Sequence, residues 1–244
     1  MNFLRKLELF LLGFCLIGIT SCSQKQEKII FSGELTHVNQ EKIYLYKVAP
    51  EGSFLIDSAI IKDGKFTLTD FVDKNSEKKD YPGYYKVFLT KTNHILTIAH
   101  IGEHLHFKAN ADSLVKTYSV TGGLDAQLIN QLDMKLKSFI DSVNNLTLIY
   151  DSNQYNDSVK EDIETMYNQY VLNHQNFLKD FIHKNGSSIA TLNAFYQKFN
   201  RLTFLPEKDH VDLLKEMYRV LYAKYPDNSN VFYIKSKIDK YSTE

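Results

Sequence analysis

The chain has 244 residues with 29 basic and 29 acidic side chains, so its formal net charge is zero. Balanced charge argues against a nucleic-acid partner, whose phosphates are gripped by clustered Lys and Arg. The only cysteines are Cys15 and Cys22, both at the N-terminal end. From residue 23 onward there is no thiol for disulfides, thiolate catalysis or cysteine metal sites.

Residues 1–21 read as a signal peptide. Arg5 and Lys6 precede an apolar run from Leu9 to Ile19, in the order a secretory leader requires. Glu8 between them is atypical. The run is too short to span a bilayer, which takes about 20 apolar residues. Its end, Ile19-Thr20-Ser21-Cys22, resembles the lipobox of bacterial lipoproteins. That resemblance implies cleavage before Cys22 and a diacylglycerol on its thiol. Two or more acyl chains give stable attachment where one gives only marginal binding. The expectation is a protein of the bacterial cell envelope, lipid-anchored to a membrane, most often the outer one. Residues 22–28, Cys-Ser-Gln-Lys-Gln-Glu-Lys, form a polar tether.

From residue 29 to 122 the chain alternates short β-rich runs with turn residues. Strands are predicted at Lys28–Leu35, Glu41–Val48, Phe54–Lys62, Lys65–Phe71, Gly83–Lys91, Ile95–His100, Glu103–Lys108 and Lys116–Val120. Alternation in Phe66/Leu68 and Tyr85/Val87/Leu89 is the pattern of half-buried strands. Asp63-Gly64 between two apolar runs is a hairpin signal, because the turn needs positive φ. Gly102 is assigned the same part between Ile98 and Leu105. Val72–Tyr81, rich in Asp, Glu and Lys, reads as a solvated loop. Eight strands at this spacing suggest an antiparallel β-sandwich.

Beyond Gly122-Gly123 the apolar period changes to about 3.6. Leu124, Leu128, Leu132, Leu136, Phe139, Ile140 and Val143 make one stripe. Val159, Ile163, Met166, Tyr170, Phe177, Leu178, Phe181 and Ile182 make a second. Ser158 with Glu161 suggests a capping box, and Asn185-Gly186 a stop. A third helix is expected from Ser187 or Ser188 through Phe199, a fourth after Pro206, and a fifth over Ser229–Tyr241. The fold class is therefore α+β: an N-terminal antiparallel β-sandwich at 29–122 followed by an α-helical bundle at 123–244.

Ile56-Asp57-Ser58-Ala59 followed by Lys62-Asp63-Gly64-Lys65-Phe66 resembles the central hairpin of a β-rich domain of unknown function. That domain opens many Gram-negative lipoproteins, directly ahead of a thioredoxin-like domain. Ile98–Phe107 is similar to the family's later hairpin, and Val120-Thr121-Gly122 to its closing strand. Phe181–Asn185 through Tyr225–Asn228 is similar to the helices that follow. Two things depart from the pattern: Asp70-Phe71 stand where the family has a Gly, and no Cys-x-x-Cys motif occurs. The resemblance implies the scaffold of a redox lipoprotein without its catalytic half, and it carries no catalytic residue onto this chain. It also suggests a separately encoded thioredoxin-like protein as partner.

Three further sets of residues are candidates. His100, His104 and His106, with Glu103 or His94 nearby, would place three imidazoles around a hairpin, a donor set suited to zinc or copper. Tyr81, Tyr84 and Tyr85 beside Pro82-Gly83 suggest an exposed aromatic patch for a partner or glycan. Ser58, Ser113, Ser142 and Ser158 each sit in an Asp-Ser-apolar triplet, a form used in periplasmic O-glycosylation and also ordinary turn chemistry. No nucleophile elbow or phosphate-binding glycine loop occurs. The expected role is a non-enzymatic binding or scaffolding module that needs no cofactor. The alternatives are an accessory subunit of a thiol oxidoreductase system and a metal-binding envelope protein.

Overall fold

The structure, a computed structural model, describes residues 27–49, 51–72, 81–153 and 156–242. The leader, Cys22 and most of the 72–81 loop therefore lie outside the described residues. Eight strands come first: β1 (Lys28–Thr36), β2 (Lys42–Ala49), β3 (Gly52–Ile60), β4 (Lys65–Phe71), β5 (Gly83–Thr90), β6 (Asn93–Ala99), β7 (His104–Asn110) and β8 (Ser119–Thr121). A one-turn helix α1 (Leu114–Thr117) interrupts them where the sequence predicted the start of a strand. Tyr118 leaves that turn and buries its ring near Phe107, which delays β8 to Ser119.

The strands form two four-stranded sheets, in the orders β4-β1-β7-β8 and β3-β2-β5-β6. Every pairing is antiparallel except β1 with β7, which run parallel with Ile30 opposite His104. The first sheet is thus mixed, which corrects the purely antiparallel expectation. Inward residues of both sheets feed one core, including Ile29, Phe31, Leu68 and Phe107 from the first and Ile43, Leu45, Val87 and Ile95 from the second. Phe31 meets Tyr85 across it with ring centroids 4.9 Å apart.

Both predicted hairpins turn out to be crossings between sheets. Asp63 (φ 51°) and Gly64 (φ 74°) make the expected reversal. The strands on either side share only the Lys62–Lys65 bridge before β3 joins β2 and β4 joins β1. Gly64 is required here, since a Cβ would sit 2.4 Å from the Leu35 carbonyl oxygen. Gly102 (φ 90°) likewise carries the chain from β6 in one sheet to β7 in the other. A turn signal specifies a local reversal; where the strands pair afterwards depends on which faces must be buried.

The helices follow: α2 (Leu124–Ser152), α3 (Asp157–Lys184), α4 (Ala190–Phe195), α5 (Val211–Lys224) and α6 (Ser229–Ser242), with a two-residue ladder of β9 (Lys198–Phe199) and β10 (Leu202–Thr203) after α4. The cap of α3 is Asn156, whose side chain accepts from the Val159 amide at 3.3 Å, rather than Ser158. The helix closes at Asn185 as expected. The third predicted helix is cut to six residues because Phe199 enters β9 and the chain reverses at Asn200 (φ 53°). Pro206 caps a 3-10 turn, Glu207–His210, that leads into α5. Leu128, Leu132, Phe139, Leu178, Phe181 and Ile182 are buried as their stripes require, whereas Leu124 and Met166 are exposed.

Helical packing fades along the two long helices. Nearly all buried positions of α2 lie between Asp125 and Phe139, with Leu146 alone beyond them, and those of α3 run from His174 to Ile182. The remaining halves project as a two-helix arm. At its end Leu148 and Tyr150 are exposed.

Candidate functional site at the junction of strands and helices

A polar cluster lies where the strand region meets the helices. His100 follows β6, and its backbone amide donates to Glu103 Oε2 at 2.8 Å while the Glu103 amide donates back to the His100 carbonyl at 3.1 Å. This reciprocal pair fixes the Gly102 turn and aims the His100 ring at α2. There Nε2 meets Asp125 Oδ2 at 2.7 Å. A carboxylate can only accept, so this nitrogen carries the proton. The other Asp125 oxygen accepts from Ser188 Oγ, which itself accepts from the Ala190 amide at 3.1 Å. Tyr225, after α5, sets its ring 6.4 Å from that of His100.

Asp125 is nearly fully buried and lies in the first turn of α2, where the helix dipole favours negative charge. Its hydrogen bond holds the His100 imidazole above its usual pKa, against the opposing effect of burial and the Lys224 charge. Burial raises Glu103 above the usual carboxylate range. Serine, aspartate and histidine are all present, but the carboxylate stands between the other two. Nucleophilic catalysis needs the imidazole on the hydroxyl. Here the hydroxyl proton and the imidazole proton both go to Asp125, so the arrangement braces three segments and activates none of them.

Two more contacts extend the brace. The Tyr84 hydroxyl on β5 donates to Asn193 Oδ1 in α4 at 2.9 Å, and the Tyr118 hydroxyl donates to Asp133 Oδ2 in α2 at 2.6 Å. Burial lifts the Asp133 carboxyl to a pKa of about 6, and the Tyr118 bond only partly offsets this. The ionised form is therefore held at a cost. Because the folded-state pKa is raised, Asp133 contributes stability that is present below pH 4 and lost as pH rises through about 6. Asp133→Asn is expected to raise stability at pH 7 by about 1–3 kcal/mol and to change it little at pH 3.5. Urea denaturation at the two pH values measures this.

The structure separates the three histidines proposed as metal ligands. His104 and His106 project from the same face of β7 and share Ser32 Oγ, at 2.8 Å from His104 Nε2 and 3.0 Å from His106 Nδ1. His100 is committed to Asp125 instead. Among the described residues no group of three or more His, Cys, Asp or Glu is placed to hold a metal ion. The cause is the sheet crossing at Gly102, which sends His100 toward the helices and β7 into the other sheet. His94 lies farther off on β6, its ring against Phe88.

The tyrosine patch is also redistributed. Tyr85 is fully buried and donates to the buried Asp70 Oδ2 at 2.6 Å, Tyr84 faces the helical core, and the Tyr81 ring lies 3.9 Å beneath Lys47 Nζ. Alternation along a strand sends Tyr84 and Tyr85 to opposite faces, so they cannot form one exposed patch. Of the Asp-Ser triplets, Ser58 is exposed on β3 and Ser158 in the first turn of α3, Ser113 precedes α1, and Ser142 bonds back to the Ser138 carbonyl within α2.

A second feature had no sequence signal. The arm halves of α2 and α3 enclose a groove of about 530 Å³ lined by Val143, Leu146, Tyr150, Ile163 and Tyr167, with Lys160 and Glu164 at its margin. Apolar residues recurring at helical spacing read as core; that no third element among the described residues covers this part of the stripe depends on where the remaining chain goes. The chain matches no family model and no curated protein.

Proposed function

We propose that the protein is a lipid-anchored, non-enzymatic binding module of the bacterial cell envelope, held at Cys22. Its two sheets act as a sandwich and its helices as a bundle, divided near residues 122–123, and the arm is the recognising part. The observation that carries this reading is the groove between α2 and α3, which no other element covers among the described residues and on whose wall Tyr150 stays partly exposed. Two helices with an apolar seam between them form the receptor for a third amphipathic helix. Between residues 137 and 164 six carboxylates stand against two lysines, so the complementary segment is basic on its polar side.

A photo-crosslinker introduced at Thr147, on the groove wall, in intact cells tests this. A discrete adduct is expected, its crosslinked peptide basic and amphipathic, and Ile163→Lys should reduce its yield at least tenfold. The same crosslinker at Thr36, on the strand region, should give no such adduct. Unchanged yield in Ile163→Lys, or an acidic partner peptide, overturns the reading, as does unaided turnover of a substrate by the purified protein. An adduct with a thioredoxin-like protein through this groove would instead favour the role of accessory subunit to a thiol oxidoreductase.

A further inference from the structure

We infer that the end of the first sheet where the chain enters is a bilayer-contact face, with Phe71 and Leu124 as its apolar contacts and Lys28 as a headgroup contact. This rests on lipid attachment at Cys22, but adds an orientation that attachment alone does not require.

The strand register gathers these residues. Lys28 opens β1 and pairs with Phe71, the last residue of β4. The Gly102 amide donates to the Lys28 carbonyl at 3.0 Å, which brings the turn before β7 to the same level. On the far side of β7, His106 pairs with Thr121 at the end of β8, and Gly122-Gly123 leads directly into Leu124. β1, β4 and β7 thus end within about two residues of one another, while β8 stops level with Ser32 and Gly122-Gly123 carries the chain on toward the same end. With strands about 4.8 Å apart, Phe71 and Leu124 lie roughly 15 Å from each other across this edge.

Their exposure lacks a packing explanation. Leu124 is 68% exposed, the most of any large apolar side chain among the described residues, although its helical stripe predicts an inward position; Phe71 is 58% exposed. Among the described residues the nearby ionisable groups suit an anionic surface. Lys28 is exposed, Asp70 is buried against Tyr85, and a Glu103 oxygen is taken by the His100 amide. Glu27 is engaged within the molecule. His104 is exposed beside Ser32.

Chain length selects the occupant. Five residues lie between Cys22 and Lys28, a reach of at most about 20 Å when fully extended. A body on so short a tether keeps this end against the lipid in which the acyl chains sit. Apolar side chains at that depth enter the headgroup region, where burial of apolar area and attraction of lysine to anionic lipid act together.

The chain contains no tryptophan, so Phe71→Trp, Leu124→Trp and Thr36→Trp each create a single fluorescent reporter at an exposed position. Thr36, at the opposite end of β1, lies about 26 Å away along the strand. The lipidated full-length variants are reconstituted into phosphatidylethanolamine–phosphatidylglycerol vesicles whose acyl chains are brominated near the headgroup. Emission at 71 and 124 is expected to fall at least twofold relative to unbrominated vesicles, with emission at 36 unchanged. Equal quenching at all three positions, or none at any, overturns the inference even while the protein floats with the vesicles. Failure to co-float overturns the anchor itself and the contact face with it, so the two failures are distinct.

Discussion

Asp125→Ala is expected to cost about 3 kcal/mol of folding stability, the low end of the range found when one partner of a buried ion pair is removed, because the His100 side chain stays 35% exposed. The carboxylate accepts from the Ser188 hydroxyl and from His100 Nε2 at 2.7 Å, and its loss leaves both donors facing the gap. Asp125→Asn keeps an acceptor for Ser188 and should cost less than half as much. The penalty should also depend on pH. The Asp125 hydrogen bond raises the His100 pKa, opposed by burial and by Lys224 and assisted by Glu103. A raised folded-state pKa means that the pair contributes fully below about pH 6.5, the ordinary imidazole value, and less as pH rises through the raised value. The cost of Asp125→Ala should therefore be greater at pH 6 than at pH 9. Urea titrations at both pH values test this. A penalty below about 1 kcal/mol, or one that grows with pH, would show that the junction is held by apolar packing and not by this brace.

Phe139→Ala should cost a comparable 3–5 kcal/mol. The ring is the hub of an aromatic cluster, with centroid distances of 5.1 Å to His174, 5.3 Å to Phe199 and 5.2 Å to Phe204. It joins α2 to α3 and to the segment between α4 and α5. Truncation removes contacts from all of these at once, and such a crowded site has little freedom to collapse into the space. The exposed Leu148→Ala on the same helix is the control, with an expected change within about 0.5 kcal/mol. If both variants lose the same stability, the packing boundary along α2 is misplaced and the arm is not a projecting element. The arm groove and the Phe139 hub lie on the same two helices, so this measurement also bears on the proposed binding role.

Much of the fold could be read from residue order. Alternation at Phe66/Leu68 and Tyr85/Val87/Leu89 placed β4 and β5 within a residue of their observed limits, and all three positions of the second set are inward as that pattern demands. The helical stripes located α2 and α3, and Asn185-Gly186 marked the end of α3. These signals are local: a side chain's face follows from backbone period, and a stop follows from a few residues. The candidate sites were less legible. Neither Asp125 nor Ser188 carried a motif, since what joins them to His100 is the convergence of distant segments and not spacing in the chain.

By itself the sequence determined most of the strands and the long helices, where the chain reverses, and most of the inward side chains, because period and turn chemistry act over a few residues; α1, the β9–β10 ladder and the outward Leu124 and Met166 escaped it. It also determined that any thiol chemistry is confined to the N-terminal end. Only the tertiary structure decided that the Asp63-Gly64 and Gly102 reversals cross between sheets, that β1 lies parallel to β7, and that the three histidines part company. It alone left half of two long helices uncovered among the described residues. These outcomes depend on which buried faces find partners across large sequence separations, a choice made by burial of the whole body and invisible to any short window of residues.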